Sequence, residues 1–232
     1  MNQVSNVRRR GTLDGSRSVA PLLLGVVPFG LVFGVTAAGS VVGGGLGYAT
    51  SIIIFAGAAQ LATIQLLDAG VAALVVIATA LVINARHLMY SAAMAPHFRE
   101  FPTASRFTLP YLLTDQAFAV SIVRYDETTD PRYKRWFYFG AGITLWIAWQ
   151  ITTATGVLLG AQVPESWSLE FAIPLVFLAL LIPIVRNRPA LVAALIGGGV
   201  ALLASGAPYG LGLIIGAISG VIAGVVAERA PR

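Results

Sequence analysis

SVAPLLLGVVPFGLVFGVTAAGSVVGGGLGYATSIIIFAGAAQLATIQLL, residues 18–67, contains no Asp, Glu, Lys, Arg or His. A helix crossing the hydrocarbon core of a bilayer needs roughly 20 predominantly apolar residues, so this one stretch has room for two. Charge is absent again from Trp136 to Pro164 and from Pro189 to Ala227. Together the three stretches can hold about five or six spans. Membrane strands would alternate in polarity, and these stretches do not. The sequence therefore reads as all-α: a polytopic integral membrane helical bundle, with some helices kinked or broken.

Composition excludes the main rival class. The chain is 57% hydrophobic and 11% charged, with a mean hydropathy of +0.81, whereas soluble domains carry about 25% charged residues. Its 25 glycines and 12 prolines, many inside apolar runs, suit membrane helices. A pI near 10 does not indicate nucleic acid, because the basic residues sit at predicted helix ends rather than on one face. With no cysteine there is no disulfide framework, thiolate chemistry or Cys-based metal site. Arg8–Arg10 ahead of an apolar run resembles a signal peptide, but the run outlasts an h-region, so a retained first span is expected.

Spans are expected near 19–38, 46–67, 69–95, 108–124, 136–159, 169–185, 189–204 and 207–227. Breaks are marked by GGG at 43–45, DPR at 130–132, RNRP at 186–189 and SGAP at 205–208. Placing both termini inside assigns twelve Lys and Arg to inner segments and two, Arg99 and Arg106, to the outer ones. That bias predicts N-in/C-in with eight spans. The count becomes seven if 108–124 is re-entrant. The organisation is then a cytoplasmic tail at 1–18, one transmembrane transporter domain at 19–227 and a short tail at 228–232. The expected location is a cell membrane, the inner one, crossed many times.

Polar residues inside apolar spans are the candidates for chemistry. Asn84, Arg86 and His87 lie in ALVINARHLMYSAAMA, residues 80–95. An ionisable group at membrane depth costs about 2.5–3.5 kcal/mol on insertion scales and normally has a partner. Taking 108–124 as the second arm of an antiparallel hairpin centred near 102, Asp115 in LLTDQAFAV reaches nearly the depth of Arg86, within about 5 Å. Asp115 is thus a plausible partner for Arg86 or His87. Such a pair either holds two helices together or forms a substrate or proton site in an aqueous cavity.

A second group is FAGAAQLATIQLL, residues 55–67. Gly57 and the alanines favour close packing with Gln60 as polar glue, or else Gly57 marks a broken helix whose free amides hold a zwitterion. In TLWIAWQITTATG, residues 144–156, Trp146 and Gln150 share a helix face. They line a pocket or pack in the core. Gly212, Gly216, Gly220 and Gly224 form a stripe that another helix can fill, from this chain or from a second subunit. Pro28 and Pro174 predict kinks inside spans. No HExxH, P-loop or Gly-x-Ser occurs, and His87 and His97 lack metal-site spacing, so neither an enzyme, a cofactor nor a metal is expected.

PFGLVFG (28–34), FAGAAQLATIQLL, NARHLMYS (84–91), LLTDQAFAV (112–120), the tryptophan-containing fifth span and FAIPLVFLALLIP (171–183) follow one another in an order that resembles the AzlC family. The resemblance runs over roughly residues 18 to 227. It implies the large permease subunit of a secondary exporter for branched-chain amino acids. The implied substrates are leucine, isoleucine and valine, extending to methionine or azaleucine. It also implies proton-gradient drive and a small AzlD-type membrane subunit as partner. On that reading Gly57, Gln60, Asn84, Arg86, Asp115, Trp146 and Gln150 bind substrate, and His87 and Asp115 couple protons. Gly212, Gly216, Gly220 and Gly224 would face the small subunit. Where the family pattern often has an acid after the aspartate, this chain has Gln116, so Asp115 would couple alone. The competing readings are a channel or carrier for another small solute, or a non-transport membrane assembly protein.

Overall fold

The computed structural model describes residues 2–160, 185, 187–207 and 211–229. All but the last residue of the expected span 169–185, with Pro174, lies outside the described residues. Regular structure in the described part is helical: α1 (Asn2–Val19), α2 (Leu23–Gly39), α3 (Gly43–Ile53), α4 (Gly57–Asp68), α5 (Ala73–Asn84), α6 (Arg86–Phe98), α7 (Thr103–Thr108), α8 (Asp115–Asp126), α9 (Pro131–Gly160), α10 (Arg188–Leu203) and α11 (Leu211–Arg229). Among the described residues, four helical stretches are long and apolar enough to cross a membrane: Asn6–Gly39, Ala73–Phe98, Pro131–Gly160 and Leu211–Arg229. The chain forms two compact units, Met1–Ile64 with Ala80–Pro164, and Gln65–Thr79 with Glu165–Arg232.

In the first unit α1 and α2, joined by a 3-10 turn at Ala20–Leu22, form one rod beside α9. The segment expected as a cytoplasmic tail is thus helical from Asn2. The rod and α9 run in the same direction, backbone against backbone. A Cβ on Gly15 would fall 2.0 Å from the Phe137 carbonyl oxygen, and one on Gly34 2.3 Å from that of Thr153. Small residues permit this approach, which replaces hydrophobic drive between helices in lipid.

Depth can be read along α9. Gly44, at the start of α3, faces Val157, and Ser51 accepts a hydrogen bond from Gln150 at 3.0 Å. Gly57, at the start of α4, lies against Trp149, yet Ile64 is back beside Gly47 of α3. The stretch expected as one span, 46–67, is instead a hairpin. It enters and returns at the end of the unit that holds Ser40–Gly45 and Gly160, with its apex at Ile54–Ala56.

A second hairpin enters from the opposite end. The rings of Phe98 and Tyr138 are 5.1 Å apart, and those of His97 and Tyr125 are 4.8 Å apart. Lys134 Nζ lies 3.3 Å from His97 Nδ1. From there α7 and a 3-10 turn at Leu109–Leu112 rise to Gly142 and Trp146. The chain then turns at Leu113–Thr114, and α8 descends to Tyr125. The expectation that 97–107 lies opposite the 125–135 segment is therefore corrected. Arg99 and Arg106 share an end with Arg124, Arg132, Lys134 and Arg135. The physical reason is that Pro110 and the extended, capping Thr114 cut 108–124 into two short arms. Neither arm is long enough to cross a bilayer.

In the second unit α10 and α11 form an antiparallel hairpin. A Cβ on Gly212 would fall 2.3 Å from the Ala204 carbonyl oxygen, on Gly216 2.6 Å from Ala201 Cβ, on Gly220 2.8 Å from the Ala193 carbonyl oxygen and on Gly224 3.1 Å from Ala193 Cβ. The glycine stripe packs against α10 of the same chain.

Candidate functional site

Apart from the glycine stripe of the second unit, the predicted residues collect around the two apices. At the first, the backbone is forced out of helix by Phe55, whose φ of 47° lies in the left-handed region that bulky side chains avoid. Breaking a helix orphans backbone groups, and side chains take them up here. Gln60 Oε1 accepts from the Ala56 amide at 3.0 Å, while its Nε2 donates to Thr50 Oγ1 at 2.8 Å and to Ser51 Oγ at 3.3 Å. The Ser51 carbonyl accepts from Gln150 Nε2 at 3.0 Å. The Ile52 carbonyl accepts from Tyr111 Oη, and Tyr111 Oη accepts from Trp146 Nε1 at 2.8 Å. Gln60 and Gln150 are both buried. Gln60, Gln150 and Trp146 thus brace a broken helix, and whatever they offer a ligand is what this bracing leaves unused.

Gly57 opens α4 directly beneath the indole of Trp149. A Cβ there would lie 2.6 Å from Trp149 Cη2 and 3.0 Å from Phe29 Cε1. Phe29 and Phe33 each hold the same indole at a centroid distance of 5.6 Å. Trp149 Nε1, Gln150 Oε1 and Thr153 Oγ1 are buried without a hydrogen-bond partner. Buried polar atoms left in this state cost about 1–3 kcal/mol each unless water or a ligand meets them.

At the second apex Thr114 caps α8, its Oγ1 accepting from the Ala117 amide at 3.2 Å. Asp115 is the first residue of α8, where the helix dipole favours a negative charge. Arg86 is the first residue of α6, and its Nη1 meets Asp115 Oδ2 at 3.4 Å. The side chains are 35% and 42% exposed, so the pair is half-buried. Below it, Tyr90 stacks on Phe118 at 4.5 Å. His87 does not join the ion pair: its Nδ1 lies 3.2 Å from the Asn84 carbonyl oxygen, an arrangement suited to donation back onto its own helix. Asn84 Oδ1 and Arg86 Nε are buried and unpartnered. At Ala85 the α5–α6 hydrogen bonding tightens to i, i+3, from Ala85 to Val82 and from Leu88 to Ala85, which sets this cluster at an irregular turn.

The two apices meet. Tyr111 belongs to the second hairpin and binds the Ile52 carbonyl of the first, and its ring lies 6.3 Å from that of Phe55. Sequence reasoning passed over Tyr111, Phe55 and the Thr50–Ser51 hydroxyls. Tyr111 alone carried a usable local signal, standing after Pro110 and shortly before a capping threonine. Among the described residues no three His, Cys, Asp or Glu side chains gather as metal ligands would. Chemically the arrangement offers a carboxylate–guanidinium pair at one apex and, at the other, a helix N-terminus with orphan donors and acceptors.

Comparison with known proteins agrees with the membrane reading. An "Uncharacterized membrane protein" of Archaeoglobus fulgidus is 33% identical over 193 residues, covering 78% of this chain and 79% of that one. The "Inner membrane protein YgaZ" of Escherichia coli is 23% identical over 222 residues, 89% of this chain and 88% of that protein. An "Uncharacterized membrane protein" of Helicobacter pylori is 28% identical over 167 residues, 68% and 69%. No solved structure matches. The family model described as AzlC protein matches residues 21–163, which include both hairpins and both apices, and the chain belongs to the AzlC family.

Proposed function

We propose that this chain is the large, permease subunit of a secondary exporter for branched-chain amino acids, working with a small AzlD-type membrane subunit. The observation that carries the reading is the convergence of two broken-helix apices inside one bundle, one bearing Arg86 and Asp115 and the other Gly57 with Gln60, Trp146 and Gln150 around it. Discontinuous helices whose ends face each other at mid-depth suit a zwitterion. Its carboxylate would meet Arg86 or the amides at the start of α4. Its ammonium would meet Asp115, Asn84 or Gln60. Burying an aliphatic side chain contributes about 1–3 kcal/mol and one methylene discriminates weakly, so valine, leucine and isoleucine would all pass. Protonation of His87 or Asp115 would couple export to the proton gradient. With the arginine-rich end of the first unit cytoplasmic, the protein would sit in the inner membrane.

The test is efflux of labelled valine, leucine and isoleucine from cells expressing the chain with and without a small partner, beside Asp115→Asn. Efflux that needs both the partner and Asp115 supports the reading. Equal retention in every strain removes these substrates. A channel or carrier for another small solute fits the same apices, and competition between solutes would separate the two.

A further inference from the structure

Three backbone groups freed at the first apex are satisfied by side chains, and the three are not equivalent. Gln60, 3% exposed, lies in the same hairpin, and Gln150, 6% exposed, lies on α9. Both are packed in place. The Ile52 carbonyl depends instead on Tyr111, which is 42% exposed and comes from the opposed hairpin. The phenol oxygen is fully committed, donating to Ile52 and accepting from Trp146 Nε1.

The backbone on both sides of this contact is irregular. Phe55 holds a left-handed conformation that costs an aromatic residue roughly 1–3 kcal/mol and persists only where its surroundings impose it. Tyr111 sits in a 3-10 turn just before the extended residues Leu113 and Thr114, two positions that can absorb a rotation without unwinding a helix. Irregular backbone at membrane depth is tolerated where protein buries it or water reaches it. Since the hairpins enter from opposite ends, the apices are the point at which access from the two ends would meet.

We propose that Tyr111 is the gate residue of this protein. Its link to the Ile52 carbonyl, fixed by Trp146 and backed by Phe55, closes an aqueous path that approaches the apices from both faces. The proposal rests on the transporter reading, but its test reads access and not substrate. The chain has no cysteine, so a single Ala58→Cys beside the first apex serves as reporter for a membrane-impermeant thiol reagent applied to right-side-out and inside-out vesicles. With Tyr111 intact, labelling is expected from the face where α3 enters and to be slow from the arginine-rich face. Tyr111→Phe keeps the ring and removes the hydroxyl. It should raise labelling from the arginine-rich face by about three- to tenfold, as loss of one net hydrogen bond predicts. Trp146→Phe should produce a smaller rise in the same direction.

Unchanged labelling from both faces in Tyr111→Phe and Tyr111→Ala, with normal yield and a monodisperse elution profile, would overturn the proposal. No labelling from either face in any background would overturn it too, because no water then reaches the apex. Absence of branched-chain amino acid efflux with gated labelling intact would remove the substrate and leave the gate.

Discussion

Arg86 Nη1 and Asp115 Oδ2 stand 3.4 Å apart although their helices run side by side in the same direction. Arg86 faces Asp115, Tyr90 stacks on Phe118, and His97 meets Tyr125, so partners differ by an almost constant number of positions. An antiparallel hairpin would show a constant sum. The parallel register exists because α7 and its 3-10 turn climb to the apex first and return the chain for α8. As a result a cation and an anion each occupy the first position of a helix starting at one depth. The α8 dipole stabilises Asp115 there, whereas at Ala85 the C-terminal end of α5 and the N-terminal end of α6 largely offset each other, so Arg86 depends on its partner for a counter-charge.

This dependence predicts an asymmetric mutant cycle. Removing one member of a fully buried pair costs about 3–5 kcal/mol. With side chains 35% and 42% exposed, screening reduces the expected cost of Asp115→Asn to about 1–2 kcal/mol. Arg86→Gln with Asp115→Asn should recover most of that loss, measured by thermal unfolding in detergent. If the double variant is stable yet fails to transport, the pair acts on substrate or protons. If it is stable and transports normally, the pair is structural.

The second hairpin makes a sidedness prediction. Arg106→Cys and Arg132→Cys should react with an impermeant thiol reagent from the same face of the membrane, and Gly45→Cys from the opposite face. From positive-inside bias, the first two are expected to react from the cytoplasmic side. Reaction of Arg106→Cys and Gly45→Cys from one face would mean that 108–124 crosses the bilayer completely and that the hairpin is wrong.

Hydropathy made the class of fold legible, and the intramembrane polar residues showed where chemistry gathers. Direction was not legible. The 46–67 segment has apolar length for a whole span, and hydropathy measures length without telling whether the chain continues or turns back. The turn is made at Phe55, a residue with no propensity for φ > 0, while the glycine that suggested a break stands at 57 and serves close packing against Trp149. The Arg86–Asp115 contact was anticipated from an antiparallel geometry the protein does not adopt. Equal sequence distance from the loop gave a similar depth by coincidence. Tyr111 was missed because its partner is a backbone carbonyl 59 positions away, for which side-chain periodicity holds no signal. The glycine stripe announced a helix contact without saying which helix, and its approach to Ala193, Ala201 and Ala204 decides for α10.

Bracing of the first apex should be measurable directly. Gln60→Leu keeps the volume and strands the Ala56 amide and the Ser51 hydroxyl, while the Thr50 hydroxyl keeps its bond to the Gly47 carbonyl. Each buried group left unsatisfied costs about 1–3 kcal/mol. Unfolding midpoint should fall, and amide hydrogen exchange should accelerate around 54–60 while α9 stays protected. Gln150→Leu should act in the same region through the Ser51 carbonyl. Uniform acceleration across the bundle in both variants would contradict local bracing.

In the second unit, Gly216→Leu introduces a side chain where even a Cβ would lie 2.6 Å from Ala201 Cβ. Overpacking of this kind costs about 1–3 kcal/mol or more. The α10–α11 contact should loosen, so that paired cysteines at Ala193 and Gly224, whose Cβ atoms would lie 3.1 Å apart, cross-link in the parent chain and much less in the variant. Association with a small subunit should be affected only through this loss of stability. A Gly216→Leu chain that keeps its internal cross-link but loses its partner would restore the stripe as a subunit surface.

Gly57 offers the sharpest separation of packing from binding. Gly57→Ala places a methyl 2.6 Å from Trp149 Cη2 and 3.0 Å from Phe29 Cε1. Neither atom is the end of a flexible chain, because Phe33 stacks on the same indole. Strain of about 1–3 kcal/mol is expected, with a shift in tryptophan emission as the indole moves. Trp149→Phe shortens the ring system at the point of collision and should relieve the strain, so that Gly57→Ala costs little in that background. If Gly57 matters only through this contact, the double variant recovers both stability and transport. If the α4 amides must also approach a substrate carboxylate, stability returns and transport does not, because the added methyl still stands over the helix start.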